Sequence, residues 1–144
     1  MAIDRPPTLA VDFDGTIVTL AWPAIGELQP NAVSILRYYH ERGCRILVHT
    51  CRIAQVDPDN VTPRAQWEVD LDIQLLREFL DANGLDFCDI HVDPWKPSAD
   101  AYIDDKGVRF SEAAGWSGLA LHLRYIMEPV INEWEVKTAA TGSE

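Results

Sequence analysis

The chain has 144 residues, about the size of one ordinary domain. Hydrophobic residues make up 47% and charged residues 24%, which is typical of a globular protein and excludes a disordered one. The formal net charge of −11 argues against general affinity for nucleic acid, because such binding depends on Lys and Arg neutralising phosphates. We therefore expect one domain over residues 1–136, with a disordered tail over 137–144.

The first half of the chain is typical of a strand, a helix and a second strand. Leu9–Val11 is an apolar run that ends at a glycine turn, as buried parallel strands do. Asn31 is positioned to cap a helix that continues to about Arg42, where Gly43 supplies a stop signal. Arg45–His49 is a second apolar, β-branched run, and it ends in polar residues.

The second half begins with a loop over Asp57–Pro63 and a long helix over about Arg64–Ala82. Large apolar residues recur along this helix at helical spacing and predict its buried face: Trp67, Leu71, Leu75 and Phe79. Two further strands are predicted over Phe87–Val92 and Ala101–Ile103. Val108–Phe110 is a possible edge strand.

The last predicted helix covers about Trp116–Trp134, and we expect it to break or bend near Pro129, which lacks a helix donor. The alternation of strands and helices predicts a parallel sheet with right-handed crossovers. We expect a three-layer α/β/α doubly wound, Rossmann-like fold without a cap domain. In such folds ligands bind at the carboxyl ends of the strands, where the strand order reverses.

Polar residues follow three of the predicted strands at that end: Asp12 and Asp14, Thr50 and Arg52, and Asp104 and Asp105. Two acids in a DxD pattern are more often turn or cap residues. Here an apolar strand precedes them, and burial of acids at a strand end costs free energy unless a cation or hydrogen bonds compensate. Carboxylate oxygens are hard ligands that suit Mg²⁺.

Three other residues are candidates for phosphate binding, and each also has an ordinary structural explanation. Lys96 lies in a loop before the last predicted strand and could fold over the same edge, yet a lone lysine is more often a surface residue. Thr50 could donate to a phosphate, but threonine commonly closes a strand. Arg52 could grip a phosphate bidentately, and it is equally well explained as a surface arginine.

Four segments resemble the motifs of the haloacid dehalogenase-like superfamily: Val11–Thr16, Thr50, Lys96 and Asp104–Asp105. The resemblance spans about Leu9–Phe110. Within the superfamily the chain most resembles small cap-less phosphatase-like members. Their local sequences are similar to Val48–Arg52 and Tyr102–Lys106 of this chain. It implies an Mg²⁺-dependent phosphohydrolase that acts on a small phosphorylated substrate.

The resemblance also implies roles for individual residues. Asp12 would attack phosphorus and form an aspartyl phosphate, and Asp14 would act as general acid and then general base. Thr50 and Lys96 would hold the phosphoryl oxygens. The implied Mg²⁺ ligands are the carboxylate of Asp12, the backbone carbonyl of Asp14 and Asp104, with Asp105 in support, and Gly15, Thr16 and Arg52 are the predicted substrate contacts.

The spacing leaves room for a short flap that includes Trp22, Pro23 and Ile25 and for no cap domain, so the site is covered by this flap, by the substrate or by a partner chain. The Asp57–Pro63 loop is a second candidate lip, although a plain surface loop explains it better. Three readings remain open beside a small-molecule phosphomonoesterase: a nucleotide or nucleic-acid end phosphatase, a catalytically silent binding module of the same fold, and a thiol hydrolase using Cys51. The three cysteines have no CxxC spacing, so we expect reduced thiols and no zinc.

No run approaches the roughly 20 apolar residues of a membrane span, and Met1–Pro7 lacks a secretory pattern. These observations predict a cytosolic protein without a membrane partner. Trp116, Trp134 and the apolar residues between them could complete the core or form a dimer surface, so the oligomeric state stays open.

Overall fold

The structure is a computed structural model that describes residues 5–56, 61–107 and 109–142. The chain divides into two compact units, Met1–Asp105 and Lys106–Glu144, which are described separately. The first unit contains the whole sheet and every residue singled out above as a candidate for chemistry.

The first unit is built on a parallel sheet of four strands: β1 (Thr8–Val11), β2 (Arg45–Val48), β3 (Asp89–Ile90) and β4 (Ala101–Ile103). The strand order is β3-β2-β1-β4, and every pair is parallel. β1 and β2 are almost entirely buried, as their continuous apolar sequences predict for strands covered on both faces. The prediction of an α/β fold with a parallel sheet is confirmed.

The strand order reverses at β1. Leu9 pairs with Ile46 of β2 on one side and with Ala101 of β4 on the other. From β1 the chain adds β2 and then β3 in one direction, and it returns to the other side of β1 to add β4. The crevice predicted for ligands therefore lies at the carboxyl ends of β1 and β4.

Helix α1 (Ala32–Glu41) follows β1, and Asn31 occupies its N-cap position as predicted. The expected side-chain cap is wrong, because Asn31 has a left-handed backbone (φ 66°) and its side chain makes no capping hydrogen bond. Asparagine tolerates this conformation better than most residues. After the helix, Gly43 has φ 92°, a value that glycine adopts without strain, and the chain turns there into β2.

Helix α2 (Gln66–Ala82) buries a face that agrees with the predicted one only at Phe79, which packs against the core. Its buried residues are Val69, Leu76 and Leu80. Three residues of the predicted stripe are exposed, namely Trp67 (67%), Leu71 (45%) and Leu75 (46%). The helix carries two apolar rows with helical spacing, and periodicity alone does not choose between them.

The core between the sheet and these helices is continuous. Phe13 is fully buried and meets Phe79 of α2 edge to face, with ring centroids 5.6 Å apart. The remaining members of the cluster come from β1, β2, α1, α2 and the segments next to them: Val11, Ile17, Val18, Leu36, Ile46, Val48, Leu76, Leu80, Leu85 and Cys88. Packing of Phe13 and Ile17 fixes the turn that carries the acidic motif.

The second unit contains one helix, α3 (Gly115–Ala140). The helix continues through Pro129, so the predicted break at that position is absent. The helix reaches Ala140, beyond the start of the predicted tail, whereas residues 143 and 144 lie outside the described part. Val108, the start of the possible edge strand, also lies outside it, and Phe110 is not in a strand.

Across the described residues, no helix combines the length and apolar character that a membrane span requires.

Candidate active site

Backbone hydrogen bonds align four chain segments at the carboxyl edge of the sheet. The N–H of Asp12 donates to the carbonyl of Ile103 (2.9 Å), which joins the end of β1 to the end of β4. In the same way His49 bonds to Val11, and His91 bonds to the end of β2, both at 2.9 Å. The edge therefore presents His91, His49 and Asp12 in strand order, with the acids that follow β4 on the far side.

Three aspartates form a cluster at the reversal of strand order. Asp12, Asp104 and Asp105 each offer a carboxylate oxygen, and these oxygens all lie within 4.8 Å of one another. Asp12 is partly buried, whereas Asp104 and Asp105 are exposed. Burial, followed by the charges of the neighbouring aspartates, raises the pKa of Asp12 from 3.8 to about 6 although the backbone N–H of Phe13 opposes the shift.

Gly15 makes room for this cluster. Its backbone has φ 82°, and a Cβ atom at this position would lie 2.7 Å from Oδ2 of Asp105. A side chain here would therefore meet both a strained backbone and the Asp105 carboxylate. The structure gives Gly15 a steric role beside the acids, and a substrate contact remains a prediction.

Asp14 is not part of the acidic cluster found in the structure, because its carboxylate pairs with Arg52. Nε and Nη2 of Arg52 donate to the two oxygens of Asp14 at 2.7 and 2.6 Å. The side chains of Arg52 and Asp14 are only 8% and 16% exposed. This bidentate geometry is the one that arginine and carboxylate favour.

The same guanidinium holds the flap over the site. Nη1 donates to the carbonyl of Pro23 (3.0 Å), and Nη2 also donates to the carbonyl of Ala24 (2.6 Å). The ring of Trp22 lies 4.9 Å from the guanidinium carbon, so the cation faces an aromatic ring as well. Ile25 packs against the core. Trp22 and Pro23 of the predicted flap are thus tied to Arg52.

The segment that carries Arg52 is supported from behind by Arg64. Nη1 of Arg64 donates to the carbonyls of Arg52 (2.8 Å) and Ala54 (3.2 Å). Nη2 of Arg64 pairs with Asp72 of α2 at 2.5 Å. A chain of contacts therefore runs from α2 through Arg64 and Arg52 to Asp14.

The two predicted threonines occupy different environments. Thr50 is buried, and its Oγ1 accepts a hydrogen bond from the N–H of Arg52 (3.2 Å), which begins a short 3₁₀ helix over Cys51–Ile53. Oγ1 of Thr16 is buried and has no hydrogen-bond partner within the described part of the chain. Buried hydroxyls normally have a partner, so Thr16 offers a hydrogen bond at the turn of the acidic motif.

Lys96 lies in an exposed loop beside the row of histidines. Its Nζ is 4.0 Å from the ring centroid of Tyr102. His49 and His91 meet edge to face, with centroids 5.5 Å apart. Partial burial, followed by the charges of His91 and Lys96, lowers the pKa of His49 below 6.5. The contacts that the structure gives Lys96 are therefore with Tyr102 and, through charge, with His49.

The cysteines differ in accessibility. Cys88 is buried, and burial raises the pKa of its thiol to about 12, which makes it a poor nucleophile. Cys51 is exposed, and it follows Thr50 at the end of β2. Within the described residues, no hydrogen bond joins the Cys51 thiol to a histidine.

Sequence reasoning missed three features of this site. It did not foresee that Arg52 pairs with Asp14, that Arg64 supports Arg52, or that His91 and Tyr102 contact the loop of Lys96. The partners Asp14 and Arg52 are 38 positions apart, and no local pattern connects them. The signal that could have found the pair is an arginine directly after a buried strand, where a guanidinium requires an anionic or carbonyl partner.

Comparison with known proteins bears on the fold. No protein-family model matches the chain, and no curated protein is significantly similar to it. A solved structure described as the conserved protein coded by a locus from Bacteroides thetaiotaomicron is 27% identical. The match has a TM-score of 0.50 and covers 87% of this chain and 93% of the other. That description names no activity.

Proposed function

We propose that this chain is an Mg²⁺-dependent phosphohydrolase of the haloacid dehalogenase-like superfamily, with the doubly wound three-layer arrangement of that superfamily. The observation that carries the proposal is the cluster of Asp12, Asp104 and Asp105 at the carboxyl ends of β1 and β4. This is the point at which the strand order reverses, where parallel α/β sheets bind their ligands.

The donor set of the cluster fits Mg²⁺. It consists of carboxylate oxygens, which are the hard ligands that this ion prefers, and one oxygen from each of the three aspartates lies within 4.8 Å of the other two. Burial is the main cause of the raised pKa of Asp12, and the charges of Asp104, Asp105 and Asp14 add to it. When bound, Mg²⁺ would neutralise charge between these acids and the phosphoryl group. Asp104 and Asp105 each offer an oxygen within this limit, so we include both as proposed ligands beside Asp12.

Asp12 is the proposed nucleophile. A carboxylate oxygen of Asp12 attacks phosphorus, the bond from phosphorus to the ester oxygen breaks, and an aspartyl phosphate forms. The leaving oxygen takes a proton from Asp14. Water then attacks the same phosphorus, gives its proton to Asp14, and releases inorganic phosphate with regeneration of the Asp12 carboxylate.

Arg52 bears on how Asp14 takes part in this cycle. In the structure the Asp14 carboxylate is held by two hydrogen bonds from Arg52. A phosphate dianion is an equally good bidentate partner for the guanidinium. We propose that the substrate phosphate draws Arg52 away from Asp14, which frees the acid to exchange a proton.

The proposed substrate is a small phosphomonoester. Between β1 and α1 there is only a flap, closed by a hydrogen bond from Thr19 to Glu27 (2.8 Å) and anchored by Arg52. Thr50, Thr16 and Lys96 are the proposed hydrogen-bond donors to the phosphoryl oxygens. An open site of this kind admits a phosphate group on many scaffolds, including nucleotides.

The proposal is tested by phosphate release from an aryl phosphate and a panel of natural phosphoesters, with Mg²⁺ and with a chelator. We expect turnover only with Mg²⁺. The double variant Asp104→Asn with Asp105→Asn should lose Mg²⁺ binding in calorimetry, while Asp70→Asn on the exposed side of α2 should retain it. Turnover that is unaffected by chelation would refute the proposal, and no turnover on any phosphoester would favour a silent binding module.

A further inference from the structure

We propose that His91 and Tyr102 are positioning residues that fix the loop of Lys96 at the carboxyl edge of the sheet. This inference rests on the proposed function, because it assigns these residues to the binding of the phosphoryl group through Lys96. It stands on contacts that fasten the loop on both sides of the lysine.

His91 fastens the loop on the side that precedes Lys96. Its backbone N–H is bonded to the carbonyl of Val48 (2.9 Å), so the residue is fixed to the end of β2. Its Nε2 lies 2.6 Å from the carbonyl oxygen of Trp95. A carbonyl only accepts, so Nε2 carries the proton and donates. The residue directly before Lys96 is therefore tied to the sheet.

Tyr102 fastens the loop on the side that follows Lys96. It belongs to β4 and pairs with Ala10 of β1, in the middle of the sheet register. Its hydroxyl donates to the carbonyl of Pro97 at 2.7 Å. Its ring also faces the ammonium of Lys96 at 4.0 Å. One side chain thus holds both the backbone after Lys96 and the charged group itself.

The consequence for chemistry concerns the freedom of the lysine. Lys96 is exposed, and a lysine side chain loses rotamer entropy when it is fixed. Hydrogen bonds to the carbonyls of Trp95 and Pro97 remove the additional freedom of the backbone. Phosphate binding then costs less conformational entropy, and preorganisation of this kind increases affinity.

The test separates the two contacts with conservative variants. Tyr102→Phe removes the hydroxyl and keeps the ring, whereas Tyr102→Leu removes both. His91→Gln retains an N–H donor at the end of the side chain, whereas His91→Ala does not. The matched controls are His122→Ala and Tyr125→Phe on α3. The readouts are KM for an aryl phosphate and inhibition by orthovanadate, a phosphate analogue.

We expect Tyr102→Phe and His91→Ala each to raise KM and weaken orthovanadate inhibition roughly three- to tenfold, as for one lost hydrogen bond. His91→Gln should recover most of that loss, and Tyr102→Leu should exceed Tyr102→Phe. The controls should match the native protein.

A double-mutant cycle with Lys96→Ala distinguishes positioning from general support of the fold. If Tyr102 and His91 act through Lys96, Tyr102→Phe and His91→Ala will change orthovanadate inhibition little further once the lysine is absent. Fully additive effects, or native behaviour of the single variants Tyr102→Phe and His91→Ala, would overturn the inference. Inactivity of the native protein on every phosphoester would instead overturn the proposed function, and orthovanadate binding measured by calorimetry would still decide the positioning role.

Discussion

Replacement of Arg52 by alanine is expected to destabilise the protein far more than loss of an ordinary surface arginine. The substitution removes two hydrogen bonds to Asp14 and two to the flap carbonyls of Pro23 and Ala24. It also leaves the Asp14 carboxylate, whose side chain is only 16% exposed, without its cation. An uncompensated buried charge is the largest of these costs.

Breaking a buried ion pair from one side costs about 3–5 kcal/mol. We expect the lower end, about 3 kcal/mol, because the partial exposure of Asp14 admits water to the abandoned carboxylate. For a chain of this size that loss lowers the melting temperature by roughly 10 °C. Urea unfolding gives the free energy directly, provided that the m-value is unchanged.

Arg45→Ala is the matched control. Arg45 also pairs with an aspartate at 2.9 Å, but the two side chains are 51% and 56% exposed. Exposed ion pairs contribute about 0–1 kcal/mol, so this variant should unfold close to the native protein. If Arg52→Ala is no less stable than Arg45→Ala, the assignment of Arg52 as the anchor of Asp14 and the flap is wrong.

Three further predictions concern the acidic cluster and the core. Gly15→Ala should weaken Mg²⁺ binding in calorimetry, whereas Gly43→Ala, which has a similar positive φ but open space around it, should not; equal affinities would contradict the steric role. The pKa of Asp12 is raised to about 6, so the folded protein holds a proton that the unfolded chain releases near 3.8. The free energy of unfolding without metal should therefore decrease as the pH rises from about 4 to about 6, and the affinity for Mg²⁺ should increase through about pH 6. If neither quantity changes with pH over this range, the raised pKa of Asp12 is wrong. Leu76→Ala should lower the free energy of unfolding in urea by about 2–5 kcal/mol, whereas Leu75→Ala should change it by no more than about 0.5 kcal/mol. A larger loss for Leu75→Ala than for Leu76→Ala would show that α2 buries the predicted stripe.

The sheet and the positions of the acids could be predicted from the sequence. Leu9–Val11 and Arg45–Val48 are continuous apolar runs, and such runs have few alternatives to a buried parallel strand. Because parallel strands end at a common edge, the residues that follow them meet there. The convergence of Asp12 with Asp104 and Asp105 follows from that rule.

Helix α2 shows what periodicity leaves open. Trp67, Leu71 and Leu75 form one apolar row, and Val69, Leu76 and Leu80 form another. Both rows have helical spacing, and the first belongs to the predicted buried face. The structure buries the second, because the choice depends on how the helix packs against the sheet and not on the helix itself.

The hydrogen-bond partners of the site residues could not be predicted from the sequence either. Whether Arg52 contacts solvent, substrate or Asp14 depends on the path of the flap, and the flap has no periodic pattern. The contacts of His91 and Tyr102 with the loop of Lys96 depend in the same way on where two strands end. Side chains that meet across loops are determined by tertiary structure and leave little trace in local sequence.

The central claim is that Asp12 carries the phosphoryl group during turnover. The most direct measurement is phosphate release at saturating Mg²⁺ by the native protein, Asp12→Asn and the control Asp70→Asn. The amide of asparagine is not a nucleophile of comparable strength but has nearly the same size, so the fold should be retained. We predict that Asp12→Asn releases no phosphate above background and that Asp70→Asn matches the native protein. Phosphate release by Asp12→Asn at the native rate would contradict the account.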